Sequence, residues 1–233
     1  MKRQVILFSL FLAVVTLRSS AQGDDLFTVN PGERIVQAIP NAAQYFSRNF
    51  ISGLVWFKDD RMGRIDLNYN YLYGEMMFIN EKGDTLAVAS PQDFKLFALG
   101  KDTFYFAGNS YYHNLGAFGK LRLAEKTVFG ITDVKKIGAM GVETSAVSID
   151  QFRQVQQAST GMKDLVVQEK TIMKKVTEFY ISAKEDVFVP ATKKNIEKML
   201  GGRESLVLKK YLDSNKVNFY KKEDLIALLT SIQ

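Results

Sequence analysis

The chain holds one histidine and no cysteine, which narrows the chemistry available to it before any fold is considered. A hydrolytic triad needs a base beside its nucleophile, and His113, within Asn109-Ser110-Tyr111-Tyr112-His113-Asn114, is the only imidazole on offer. No serine sits in a G-x-S-x-G elbow, and S-x-x-K, H-E-x-x-H, G-x-x-x-x-G-K and an EF-hand loop are all absent. Without thiolates, a metal site would rest on one imidazole and carboxylates. His113 therefore reads as a solvated loop residue, and the sequence assigns no catalytic residue, metal ligand or cofactor.

Paired carboxylates offer another chemistry, since glycoside hydrolysis needs two acids facing each other across a sugar. Asp59-Asp60, Glu81 with Asp84, and Glu185-Asp186 are the available sets. Each falls in a turn-like cluster, where Asp bonds the nearby backbone and charge stays hydrated. Asp66 and Asp93 stand nearer strand interiors, with nothing in the sequence to pair them.

Aromatic residues provide the candidate binding groups. Tyr69, Tyr71 and Tyr73 would share one face if the chain stayed extended to Gly74, continuing Ile65 and Leu67 as a stripe able to stack on sugar rings or hold a peptide. The simpler readings are a core face, or a turn bounded by Asn70 and Gly74 that splits the three. Tyr111 and Tyr112 are expected to be exposed, because Asn, Ser and His surround them. Tyr71, Tyr73, Tyr111 and Tyr112 are accordingly the candidate binding residues.

The elements that would position these groups follow from punctuation. Turn clusters recur about every ten residues from Asp59 to Lys126, the spacing of short antiparallel strands. Between them lie runs of period two, such as Ile65, Leu67 and Tyr69 alternating with Asp66 and Asn68. Residues 51 to 135 read as a meander of about seven strands, and Val176 to Ile181 with Val187 to Val189 as a further hairpin. Over 22–50 the pattern is ambiguous, with Asn41 a possible cap for one short helix through Phe46. Residues 137–163, interrupted by Gly and Ser, read as a mobile insert. The last segment, 191–233, is helical: Thr192 caps a helix stopped by Gly201-Gly202, and amphipathic helices follow over Arg203 to Ser214 and Lys221 to Ile232. The expected fold is α+β and mainly β: an antiparallel meander, an open roll or partial barrel over 51–190, then short C-terminal helices.

Residues 1–21 stand apart. Lys2 and Arg3 precede an apolar run, Val5 to Leu17, that ends in Arg18-Ser19-Ser20-Ala21. That is the pattern of a secretory signal peptide cut before Gln22, and the run is too short to span a bilayer as a helix. Removing Lys2, Arg3 and Arg18 lowers the formal charge from +6 to +3. The remaining basic residues are doublets such as Lys193-Lys194, Lys209-Lys210 and Lys221-Lys222, with acids between them. They read as solvated helix faces, so no nucleic-acid partner is expected. An outer-membrane barrel is disfavoured, since strands of five to eight residues fall short of the nine to eleven required.

The order of Gly53-Leu54-Val55, Leu72-Tyr73-Gly74-Glu75-Met76-Met77-Phe78-Ile79, Gly83-Asp84-Thr85-Leu86 and Phe104-Tyr105-Phe106 resembles a loose group of exported proteins of Bacteroidota-type bacteria. The close, from Leu212 through Asn215-Lys216-Val217-Asn218-Phe219 to Leu229, is similar to that group's. The resemblance implies a location in a Gram-negative envelope, periplasm or cell surface, and no activity. The function expected is that of a soluble exported protein that binds or scaffolds without catalysis, with an envelope protein or glycan as partner. A carboxylate-based glycan hydrolase is the alternative.

Overall fold

A computed structural model of the chain describes residues 26–137, 143–145, 166–184 and 187–233. The signal-peptide reading of 1–21, most of the insert expected over 137–163 and the Glu185-Asp186 pair lie outside the described residues.

Among the described residues, twelve strands form one antiparallel sheet. Eight come from the meander region: β2 (Ile51–Phe57), β3 (Met62–Asn70), β4 (Glu75–Ile79), β5 (Thr85–Ala87), β6 (Phe94–Leu99), β7 (Asp102–Ala107), β8 (Ser110–Phe118) and β9 (Leu121–Ile137). β1 (Phe27–Val29) precedes them; β10 (Glu143–Ser145), β11 (Lys170–Lys184) and β12 (Val187–Pro190) follow. Strand order is β1-β11-β9-β8-β7-β6-β2-β3-β4-β5, with β10 on β9 and β12 on β11. The single meander expected from the turns is thus two meanders, β2 to β5 and β6 to β9, joined where β2 pairs β6 (Val55 opposite Phe97). Gly53 sits at that seam, where a Cβ would come within 2.6 Å of the Ala98 carbonyl oxygen and 3.0 Å of Leu67 Cδ1. Any side chain there would force the two halves apart.

The sheet curls without closing into a barrel, and its inner face gathers the apolar alternates Val55, Leu67, Tyr69, Met76, Phe97, Phe104 and Tyr111. One end of the roll is bridged. Asn70 Oδ1 accepts from the Leu72 and Tyr73 amides, and Gly74, at φ 67°, completes the turn by donating its N–H to the Asn70 carbonyl. From this turn the Tyr71 carbonyl accepts the Phe129 amide of β9 at 2.9 Å, and Tyr69 Oη donates to the Thr127 carbonyl at 3.3 Å. The same turn also receives the N-terminal segment, Tyr71 donating its amide to the Gln44 carbonyl. That segment holds two single-turn helices, α1 (Ile35–Ala38) and α2 (Asn41–Gln44). Asn41 is the first residue of α2 rather than its cap, a position held by Pro40.

Three helices pack on the β8, β9 and β11 part of the sheet: α3 (Lys193–Met199), α4 (Gly202–Ser214) and α5 (Lys222–Ile232). Thr192 caps α3 through the Asn195 amide, as its residue type predicts. Leu225, Leu228, Leu229 and Ile232 of α5 are buried with Leu208 against Leu121, Leu123 and Ile181 of the sheet. No helix among the described residues is long and apolar enough to cross a membrane.

Candidate functional site

A concavity lies at the end of the roll away from the bridging turn. It is a groove of about 760 Å³ bordered by the end of β2, the start of β3, Phe78 of β4 and the chain from Val88 to Phe97. Period two explains its floor: Val55 and Phe57 on β2, Gly63, Ile65 and Leu67 on β3, and Phe97 on β6 all fall on the inner face. Phe57 and Phe94 meet at 4.4 Å between ring centroids, and Phe94 meets Phe97 at 4.8 Å. Val55, Leu67 and Phe97 are buried, whereas Phe57, Ile65, Phe78, Val88 and Phe94 stay partly open to solvent. The size falls within the range of small-molecule sites, about 300 to 1,000 Å³.

The polar residues that line the groove are Lys58, Asp59, Arg61, Arg64, Ser90 and Asp93; strand alternation sends the Arg64 side chain to the other face of β3. Asp59 is taken by Arg61, whose Nε lies 2.8 Å from its carboxylate and whose guanidinium rests 4.9 Å above the Phe57 ring. The hydrogen bond from Arg61 holds the Asp59 carboxyl below the usual carboxylate range. Asp60, at φ 66°, forms an ion pair with Lys95. The first carboxylate pair is therefore divided between two cations in a turn, and Asn80 organises the turn at Glu81 and Asp84 through the Lys82 and Asp84 amides. Asp66 and Asp93 are exposed, on β3 and on a 3-10 turn (Pro91–Asp93) respectively.

His113 is not the solvated loop residue its neighbours imply. The turn is Gly108-Asn109, both at positive φ, and β8 begins at Ser110, as a two-residue hairpin requires. His113 then points into the roll with 14% of its side chain exposed. Its Nε2 lies 2.9 Å from Asp102 Oδ1 and its Nδ1 2.9 Å from Glu125 Oε1. Both nitrogens donate only in the doubly protonated ring. Phe104 stacks on the imidazole at 4.8 Å, Phe46 meets its edge at 5.2 Å, and Lys222 of α5 approaches Glu125 at 3.7 Å. A carboxylate on each side of an imidazole resembles catalytic apparatus, yet the gap lined by Phe46, Tyr69, Tyr71, Phe104, Tyr111, His113, Glu125 and Thr127 is about 10 Å³. That holds at most one water. The cluster ties β7, β8, β9 and α5 together and has no room for a substrate.

The candidate tyrosines also part company. Tyr111 and Tyr112 are buried, at 4% and 7% exposure, not displayed. Strand alternation sends Tyr111 inward among Phe97, Phe106 and Tyr69, and Tyr112 outward, where Phe188 stacks on it at 4.4 Å and Tyr180 meets it edge-on. Tyr69 is core, and Tyr71 and Tyr73 lie half-buried in the turn after it, so the stripe is split as the Asn70–Gly74 reading has it. Burial raises the hydroxyl pKa of Tyr69, Tyr71 and Tyr111. Lys175 Nζ sits 4.4 Å over the Tyr71 ring. No group of three or more ligating side chains capable of holding a metal occurs among the described residues.

Sequence reasoning places Ile65 and Leu67 on one face but misses the groove. Its walls come from chain segments far apart in the sequence, and only the β2–β6 register brings Phe94 and Phe97 beside Val55 and Phe57. Comparison with protein-family models, with curated proteins and with solved structures yields no match, so the functional reading rests on this geometry.

Proposed function

We propose that this is an exported, non-catalytic binding protein of a Gram-negative envelope, and that its ligand seat is the groove between the β2–β3 hairpin and the Val88–Phe97 segment. One observation carries the binding assignment: an open apolar concavity of about 760 Å³ that the protein's own side chains leave unfilled. Concave apolar surface of ligand size, with a few polar groups in its lining, is the usual form of a small-molecule site. The opposite end of the same roll is packed to a residual gap of about 10 Å³. Support for export comes from the basic start, short apolar run and small residues before Gln22.

A neutral solvatochromic dye such as Nile red should brighten on binding the purified protein. Val88→Trp, which fills the groove from its border, should abolish that gain while leaving the urea midpoint near wild type. Equal dye binding by both proteins would remove the groove as the seat. Amino-terminal sequencing of the protein from the envelope fraction of its host should begin at Gln22, and recovery of an intact Met1 would end the export reading.

A further inference from the structure

Resting on that reading of the groove, we infer that its ligand is an uncharged apolar molecule, with no ionised head of either sign. The strand residues beneath it, Val55, Phe57, Ile65, Leu67, Phe78 and Phe97, carry only hydrocarbon and rings. The backbones of β2, β3 and β6 are paired with one another along the ladder. A ligand lying there gains by removing this apolar area from water, and loses by bringing onto it a charge or a hydroxyl that finds no partner. A charged head would have to be accepted by the charged residues of the lining, and these cancel. With Arg64 directed to the other face of β3, Lys58 and Arg61 stand against Asp59 and Asp93. Arg61 is held by the Asp59 carboxylate at 2.8 Å and rests 4.9 Å over the Phe57 ring. Lys58 and Asp93 are neighbours, the Lys58 amide donating to the Asp93 carbonyl at 2.8 Å, so their opposite charges belong to one stretch of the border. Asp60, next in the turn, is paired with Lys95.

An anion or a cation at this border would give up hydration and meet as much repulsion as attraction. A neutral molecule avoids that cost and keeps the whole gain from covering the linked rings of Phe57, Phe94 and Phe97. A sugar would lay hydroxyls on a floor that returns no hydrogen bond.

Displacement of bound Nile red by 1-decanol, decanoate, decyltrimethylammonium and decylphosphocholine, each below its micelle concentration, separates these cases, because the four share a tail and differ in the head. The alcohol should displace the dye at a concentration about tenfold below that needed by any of the others, the scale of one partly desolvated charge without a partner. The double variant Asp59→Asn/Asp93→Asn keeps the two cations of the border and neither carboxylate. There decanoate should gain on the alcohol by about tenfold, and decyltrimethylammonium should lose ground. Both positions are exposed, so the urea midpoint of the variant should stay near that of wild type. An acid, cation or zwitterion that displaces the dye from wild type as readily as the alcohol overturns the inference. The same order of the four in the double variant also overturns it, since the advantage of the alcohol would then owe nothing to the balance of charge at the border. Failure of the alcohol to displace bound dye overturns it too, whereas failure of the dye itself to bind rejects the groove reading beneath it.

Discussion

The two ends of the roll are both lined by inward aromatic and aliphatic residues of the same sheet face, yet one is solid and the other hollow. Near the end of β3, Tyr69, Phe104, Tyr111 and His113 close on one another to within a gap of about 10 Å³. Near its start, Phe57, Ile65, Phe94 and Phe97 stand around about 760 Å³. The difference is the crossing chain. At the solid end the turn after β3 reaches over to Phe129 of β9, and the N-terminal segment delivers Phe46, whose ring meets Phe104 at 5.1 Å and His113 at 5.2 Å. At the hollow end the connection from β5 back to β6, Val88 to Asp93, crosses the strands between them and borders the space without filling it. Whether an inward aromatic becomes core or ligand surface is decided here by what lies over it, not by its type or its place in the alternation.

The comparison is broken most directly by truncating one ring at the solid end. Phe104 is 2% exposed and touches Phe46, Tyr69 and His113, so Phe104→Ala should cost about 3 to 5 kcal/mol in urea unfolding. Ile65→Ala, on the groove wall, removes carbon that already meets solvent and should cost about 1 kcal/mol or less. Equal losses at the two positions would mean that the groove is collapsed in solution.

A second difference appears at high pH. Tyr69 and Tyr111 are buried at the solid end, and desolvation raises both hydroxyl pKa values above the ordinary value of 10.0. A group with a raised folded-state pKa keeps its proton in the native state while the unfolded chain loses it. Its stability contribution is fully present below pH 10 and falls as pH climbs further. Two such tyrosines should together remove about 2 kcal/mol between pH 10 and 11. The urea midpoint should fall steeply over that interval, and less steeply in the Tyr69→Phe/Tyr111→Phe double variant. An equal fall in the two proteins would show that burial of these hydroxyls is not the source of the high-pH loss.

Much of this architecture is legible in the sequence because it is local. Turn chemistry at Asn70, Asn80 and Gly108-Asn109, the cap at Thr192 and the apolar faces of α4 and α5 each depend on residues a few positions apart. The parts that are not legible depend on register between distant strands. His113 looks like a loop residue because Ser110 and Asn114 flank it, and only Asp102 and Glu125, eleven and twelve residues away, make its inward position tolerable. Nothing near Tyr112 in the chain announces Phe188, whose ring covers it. The groove is the extreme case: every lining residue is visible in the sequence, but its existence depends on the β2–β6 pairing.

His113→Ala sharpens the comparison from the polar side. Removing the imidazole leaves Asp102 and Glu125 without their shared donor, at side-chain exposures of 26% and 19%. The expected loss is about 2 kcal/mol, that of hydrogen bonds to charged groups in a partly dry site. Dye binding in the groove should be unchanged, because none of these groups borders it. Loss of dye binding in a folded His113→Ala protein would mean that the two ends communicate and that the cluster is more than a clamp.

The smallest expected effects belong to Asp66 and Asp93, the carboxylates on which a hydrolase reading would depend. Such an enzyme needs two acids opposed across one sugar, usually with one of them desolvated enough to hold a proton at working pH. Asp66 is exposed on β3, and Asp93 is exposed at the groove border. Neither is packed in a way that would distinguish an acid from a base. Asp66→Asn and Asp93→Asn should each shift stability by no more than about 0.5 kcal/mol, as surface substitutions generally do. Asp66→Asn should leave dye binding unchanged, since Asp66 does not line the groove. Turnover of a cell-wall or polysaccharide substrate by the wild type, lost in either variant, would reverse this order of importance. The effect would then be a factor of 100 or more in rate from a residue whose removal barely alters stability, and the groove would have to be read as a catalytic cleft.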